Sequence, residues 1–186
     1  MKHATSAIII TLVCASASFT AQRVLAQTTG APSPLDQLDD FVGDGICTGH
    51  VMAMGSKPGH DTTGKYHGEK ILGGHWIVMH YDQDQSDSAP EPYHVVQYLG
   101  YDAANQRFVG VVLDNSGSGY ATGTSPGLKG DTLTFDNTGS AHGKPASYRD
   151  VFTRDSRNGM SGHTGMMRDK HGSWVKTDEE TCRKAS

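Results

Sequence analysis

Nine histidines lie beyond residue 26 of this 186-residue chain, and metal binding is the first chemistry they could serve. Ligands on one strand share a face only when an even number of residues separates them. His75 and His80 are five apart, and His60 and His67 are seven apart, so neither pair converges. There is no His-x-His or Cys-x-x-Cys, so no metal centre is expected. Gly123-Thr124-Ser125-Pro126-Gly127 spells the nucleophile-elbow pattern, whose chemistry requires a strand, a sharp turn and then a helix. Here Leu128-Lys129-Gly130-Asp131 and another extended segment follow, and Pro126 removes a backbone donor beside the serine. A plain turn is expected. Gly117-Ser118-Gly119 misses the dinucleotide-binding spacing and opens no helix. No catalytic residue is expected.

The remaining candidates are aromatic and apolar. Trp76, Tyr93, Tyr98, Tyr101 and Phe108, with Val78, Val95 and Val111, read equally as the lining of a ligand cavity or as ordinary core. The pocket set chosen from them is Trp76, Val78, His80, Tyr98 and Phe108. His80 would orient a guest from the strand face that it shares with Trp76 and Val78. Asp102 reads as a hairpin-turn residue and Asp114 as a strand-end cap.

These residues sit in residues 73–114, which read as three consecutive strands: 75–82, 93–101 and 107–115. Along 75–82, Trp76, Val78 and His80 share one face, and His75, Ile77, Met79 and Tyr81 the other. Further strands are expected at 45–54, 62–72, 120–124, 132–136, 148–154, 160–167 and 173–177. Turn chemistry separates them, as in Asn137-Thr138-Gly139 and Arg157-Asn158-Gly159. Before the first strand, Ser33-Pro34-Leu35-Asp36 is a helix opening, with a cap, a proline and a capping-box acid. Leu35, Leu38, Phe41 and Val42 give it one apolar face, suited to plugging a barrel end. About ten short strands with no helix between them predict an all-β fold: a single antiparallel up-and-down β-barrel with a short N-terminal helix.

Lys2 and His3, the apolar run from Ala7 to Ala15 and Val24-Leu25-Ala26 read as a secretory signal peptide over residues 1–26. A polar leader over 27–34 and a barrel domain over 35–183 would follow. Removing Lys2 and Arg23 and no acids takes the net charge from −4 to −6. With no Lys/Arg cluster, nucleic acid is not an expected partner. The apolar run is too short to span a membrane. Cys14 leaves with the signal, so Cys47 and Cys182 remain, and two cysteines in an exported chain read as one disulfide. One would lie in the first strand and the other just past the last. In a closed barrel those strands are neighbours, and the bond would lock them together.

Gly73-Gly74-His75-Trp76, Leu99-Gly100-Tyr101-Asp102, Arg107-Phe108-Val109-Gly110, Leu113-Asp114-Asn115 and Gly130-Asp131-Thr132-Leu133-Thr134 together resemble the DUF1579 family. The resemblance covers about residues 35–183. It implies a calycin barrel related to lipocalin-like and nitrobindin-like proteins, and its exported members similarly pair an early with a late cysteine. Gly43-Asp44-Gly45 lacks the Trp that often follows the family's opening glycine. Nitrobindin-like relatives hold haem through one histidine near the end of the barrel. The resemblance therefore makes His163, with Met166 and Met167 beside it, the haem-ligand candidate, against a reading of His163 as a surface strand residue. The leading expectation is an exported, periplasmic or extracellular barrel that binds a small apolar or amphipathic ligand without a cofactor. The alternatives are a haem protein or barrel-mouth enzyme, and a structural envelope protein with a filled interior.

Overall fold

The computed structural model describes residues 33–116, 120–141, 143–155 and 159–185. The signal peptide and most of the leader expected before Ser33 lie outside the described residues, as do Gly117-Ser118-Gly119. A 3-10 helix, Pro34–Phe41, leads into eleven strands: β1 (Gly43–Val51), β2 (His60–Ile71), β3 (Trp76–Gln83), β4 (His94–Asp102), β5 (Arg107–Asp114), β6 (Tyr120–Ser125), β7 (Leu128–Lys129), β8 (Thr132–Ala141), β9 (Lys144–Asp155), β10 (Gly159–Arg168) and β11 (Trp174–Lys184). Neighbours in sequence pair antiparallel around the sheet except β6 and β7, β1 pairs with β11, and residues 122–124 of β6 pair with residues 136–138 of β8. That last pairing closes a ten-strand barrel, as expected, with the two-residue β7 added on β8.

The expected strands are all present, with shifted ends. The final strand extends seven residues past its predicted end, so Cys182 lies within β11 rather than beyond it. The β6–β7 connection is a turn, in which the Gly127 N–H donates to Ser125 Oγ at 3.1 Å, and no helix follows the serine.

Residue parity divides each strand between the barrel interior and its outside. On β2, Thr62, Gly64, Tyr66 and Gly68 are buried while Asp61, Thr63, Lys65 and His67 are exposed. Register carries the inner face across to Met79 and Tyr81 of β3, then to Gln97 and Val95 of β4. The face of β3 expected to line the cavity is therefore the outer one. Trp76, Val78 and His80 lie on the outer face, with Tyr98 opposite Val78, although Val78 is itself buried. Phe108 does point inward. Both faces of β3 carry bulky groups, so alternation alone could not identify the inner one.

The interior has two unlike halves. In one, Ile77, Met79, Leu99, Phe108, Leu133, Phe135, Phe152 and Met160 pack with Leu35, Leu38 and Phe41 of the 3-10 helix. Fully burying each such side chain stabilises by about 1.5–3 kcal/mol. Ser33 Oγ accepts from the Leu35 N–H at 3.3 Å and Asp36 Oδ2 from the Ser33 N–H at 2.8 Å, which is the predicted capping box. Val42 departs from the predicted apolar face: it is the C-cap, in extended conformation and 36% exposed. Gly68 permits the helix to seat, because a Cβ there would lie 2.0 Å from the Phe41 carbonyl oxygen. Two cations tie the plug to the wall. Lys70 Nζ lies 2.9 Å from Asp36 and 2.7 Å from Asp39, and Arg154 Nη1 lies 3.1 Å from Asp40. Cys47 and Cys182 are register partners across β1 and β11 and form the expected disulfide.

Candidate functional site

At the other end of the barrel the inner face turns polar. His163 of β10 projects inward between β9 and β11, and its side chain is 19% exposed. Its register partners are Phe152 on β9 and Glu180 on β11. Nε2 lies 3.2 Å from Asp150 Oδ1, Nδ1 lies 3.2 Å from Asp178 Oδ1, and Glu180 Oε2 is 3.7 Å from Nδ1. The Phe152 ring sits against the imidazole, with centroids 4.9 Å apart. His163 is thus neither a surface residue nor a free ligand, because both ring nitrogens face carboxylates.

The carboxylates are themselves held. Asn137 Nδ2 donates to Asp150 Oδ2 at 2.6 Å, and the Thr177 hydroxyl donates to Asp178 Oδ2 at 2.7 Å. Tyr81 sits beside Glu180. Glycines make the close approach possible. A Cβ on Gly165 would lie 2.2 Å from Asp178 Oδ2, and one on Gly64 would lie 2.7 Å from the Tyr81 hydroxyl.

These surroundings set the protonation states. Burial opposes charge on His163, but its hydrogen bonds to Asp150 and Asp178 and their negative charge prevail and push its pKa up to about 10. Burial would also raise Asp178, yet the bond to His163 holds it below the usual carboxylate range. Burial raises Glu180. Tyr81 and Tyr93 are both raised, first by burial and then by neighbouring carboxylates, Glu180 for one and Asp114 for the other. The cluster at neutral pH is an imidazolium clasped by two aspartates, with a reluctant glutamate beside it.

Two further features belong to this chamber. Thr62 Oγ1, Gln97 Nε2 and Asn137 Oδ1, all on the inner face, are buried with no hydrogen-bond partner in the protein. The charge is also lopsided. The inward cations Lys70 and Arg154 are occupied at the plugged end, whereas the polar end holds Asp114, Asp150, Asp178 and Glu180 around His163, with His60 on the same face through its register with Val51.

Of the candidates chosen from the sequence, the structure brings Phe108 into the core of the plugged half, 5.2 Å from the Tyr101 ring. It brings His163 into the chamber. Trp76, Val78, His80 and Tyr98 are left outside, with the Trp76 ring lying over Gly100. His80 meets His67 across the β2–β3 ladder on the outer face, a pairing that spacing along one strand cannot show. Among the described residues, no group of three or more His, Cys, Asp or Glu side chains is arranged to hold a metal ion. A hollow of about 480 Å³ opens on the outer face of β5, β6 and β8 between Val109, Val111, Thr122 and Thr124, and it does not enter the barrel.

Sequence reasoning missed Asp150, Asp178, Glu180, Gln97 and Asn137. The signal for two of them was present, since Asp178, Glu180 and Cys182 alternate along one strand face. Ending the last strand at residue 177 hid it.

An antiparallel barrel, plugged at one end and polar at the other, is the class of protein defined by this arrangement. The chain belongs to the DUF1579 family, described as proteins of unknown function, whose family model matches residues 33–184. No curated protein matches it. Among solved structures it is similar to Rv2717c from M. tuberculosis, with a TM-score of 0.63 at 12% identity over 84% of this chain and 100% of that one. That likeness concerns the fold.

Proposed function

We propose that this protein binds a small amphipathic molecule, whose polar end enters the polar half of the barrel beside His163, Asp150, Asp178 and Glu180. The observation carrying this reading is the set of unpartnered polar atoms on Thr62, Gln97 and Asn137. A buried donor or acceptor without a partner costs about 1–3 kcal/mol, so such groups persist where something else satisfies them. A filled structural barrel explains the plugged half but gives these atoms no role. Haem held by His163 has less support. Each imidazole nitrogen already faces a carboxylate, and the acidic surroundings would repel haem propionates. Residence in an oxidising compartment is supported by the Cys47–Cys182 bond. Among the described residues no helix is long and apolar enough to cross a membrane.

Native mass spectrometry of protein purified from its own source tests the reading. A bound small molecule should be retained by the native chain and released on denaturation. A chain that carries only water, and whose melting temperature no amphiphile raises, would favour the filled-barrel reading. A Soret band after haem addition that disappears in His163→Ala would favour haem.

A further inference from the structure

We propose that the polar end of the ligand is a cation bearing N–H donors, of the organic ammonium class. This inference rests on the binding reading above and specifies its chemistry. The polar half of the barrel presents carboxylates from four positions on three strands: Asp114 of β5, whose Oδ1 also caps the strand end by accepting from the Ser116 N–H, Asp150 of β9, and Asp178 and Glu180 of β11. His163 is seated among them and is committed to Asp150 and Asp178 at 3.2 Å each, and His60 shares their face through its register with Val51. The cluster therefore retains net negative charge even with the imidazole protonated. Arg149 lies on the outer wall, bonded to Asp136 and stacked on Trp174, and does not compensate it.

An acidic cluster alone would define no site, and an orphaned buried acceptor supplies the second observation. Asn137 is 2% exposed on the inner face, and its Oδ1 has no protein partner. Asn137 already spends its amide nitrogen on Asp150, which leaves its oxygen to accept. An ammonium brings several donors to this acceptor-rich wall and carries the compensating charge. An anionic headgroup would meet repulsion from Asp114, Asp178 and Glu180. A bare metal ion would require convergent ligands, which the described residues do not provide. The hydrocarbon part of the guest would lie toward Phe152 and the apolar floor.

Isothermal titration calorimetry of the disulfide-bonded chain near neutral pH, using hexylammonium, hexan-1-ol and hexanoate, reads the preference directly. The ammonium is expected to bind at least about tenfold more tightly than the alcohol, equivalent to about 1.4 kcal/mol, with hexanoate weakest. The double variant Asp178→Asn/Glu180→Gln should lose that preference. Binding of the alcohol or hexanoate as tightly as the ammonium overturns the cation inference and leaves the binding reading standing. Binding of none of the three overturns both. A preference retained in a folded double variant overturns the assignment to this chamber. The ranking requires only the wild-type protein, so it decides the matter even if the double variant fails to fold.

Discussion

At the scale of single residues, the molecule turns on how a histidine is kept charged inside a barrel. The folded environment raises the His163 pKa from 6.5 to about 10, so the fold favours the protonated form. Its stabilisation is complete below pH 6.5 and is lost as pH rises through about 10. Asp178, held low, adds stability that disappears only as pH falls below the carboxylate range. Glu180, held high, costs stability once it ionises. Tyr81 and Tyr93, both raised, remain neutral through the histidine window. Urea midpoints should therefore fall between pH 6.5 and pH 10, and His163→Gln should flatten that slope. The same slope in the variant would mean that the clasp contributes nothing. At the closed end, Gly68→Ala should destabilise by about 1–3 kcal/mol, because its Cβ has nowhere to go but into the Phe41 carbonyl. Unchanged chemical denaturation would show that the plug can lift without cost.

At the scale of elements, the barrel is closed by ladders of unequal length. β1 and β11 pair over residues 45–51 and 178–184, whereas β6 and β8 pair over only residues 122–124 and 136–138. The short ladder has the fewest backbone hydrogen bonds to break, so the barrel should open there first. Native-state hydrogen exchange should show amides of residues 122–124 exchanging well before those of β1 and β11. Equal protection would mean that the sheet opens as one unit. The 3-10 helix is the other separable element. Ser33→Ala removes its cap and should cost about 1 kcal/mol. A variant with unaltered stability would assign the seating to Lys70 and Arg154 alone.

At the scale of the whole molecule, the disulfide joins residues 135 apart in sequence and ties the first strand to the last. Closing a loop of that length stabilises by about 5 kcal/mol in the chain-entropy description. Cys47→Ser should lower the melting temperature under oxidising conditions, and added reductant should then have no further effect. An unchanged melting curve would mean that the β1–β11 ladder holds without the bond. The apolar plugged half supplies most of the burial. Phe135→Ala, which empties a fully buried position, should cost about 3–5 kcal/mol.

The sequence by itself determined the capped apolar helix, the pairing of Cys47 with Cys182 and the ten strands of the barrel wall, though not the two-residue β7. These follow from local signals: turn residues, period-two alternation, a capping box and a two-cysteine count. It could not determine which face of β3 is inside, because Trp76, Val78 and His80 on one side are as bulky as Ile77, Met79 and Tyr81 on the other. Inside and outside are properties of the closed barrel, where register with Gly64 and Gly68 on β2 selects the inward set. The charged cluster was hidden for the same reason. Asp150, His163 and the Asp178/Glu180 pair come from three strands and meet only through cross-strand register. Spacing along one chain segment reports neighbours on a strand. Chemistry assembled between strands appears only once the sheet has curled and closed.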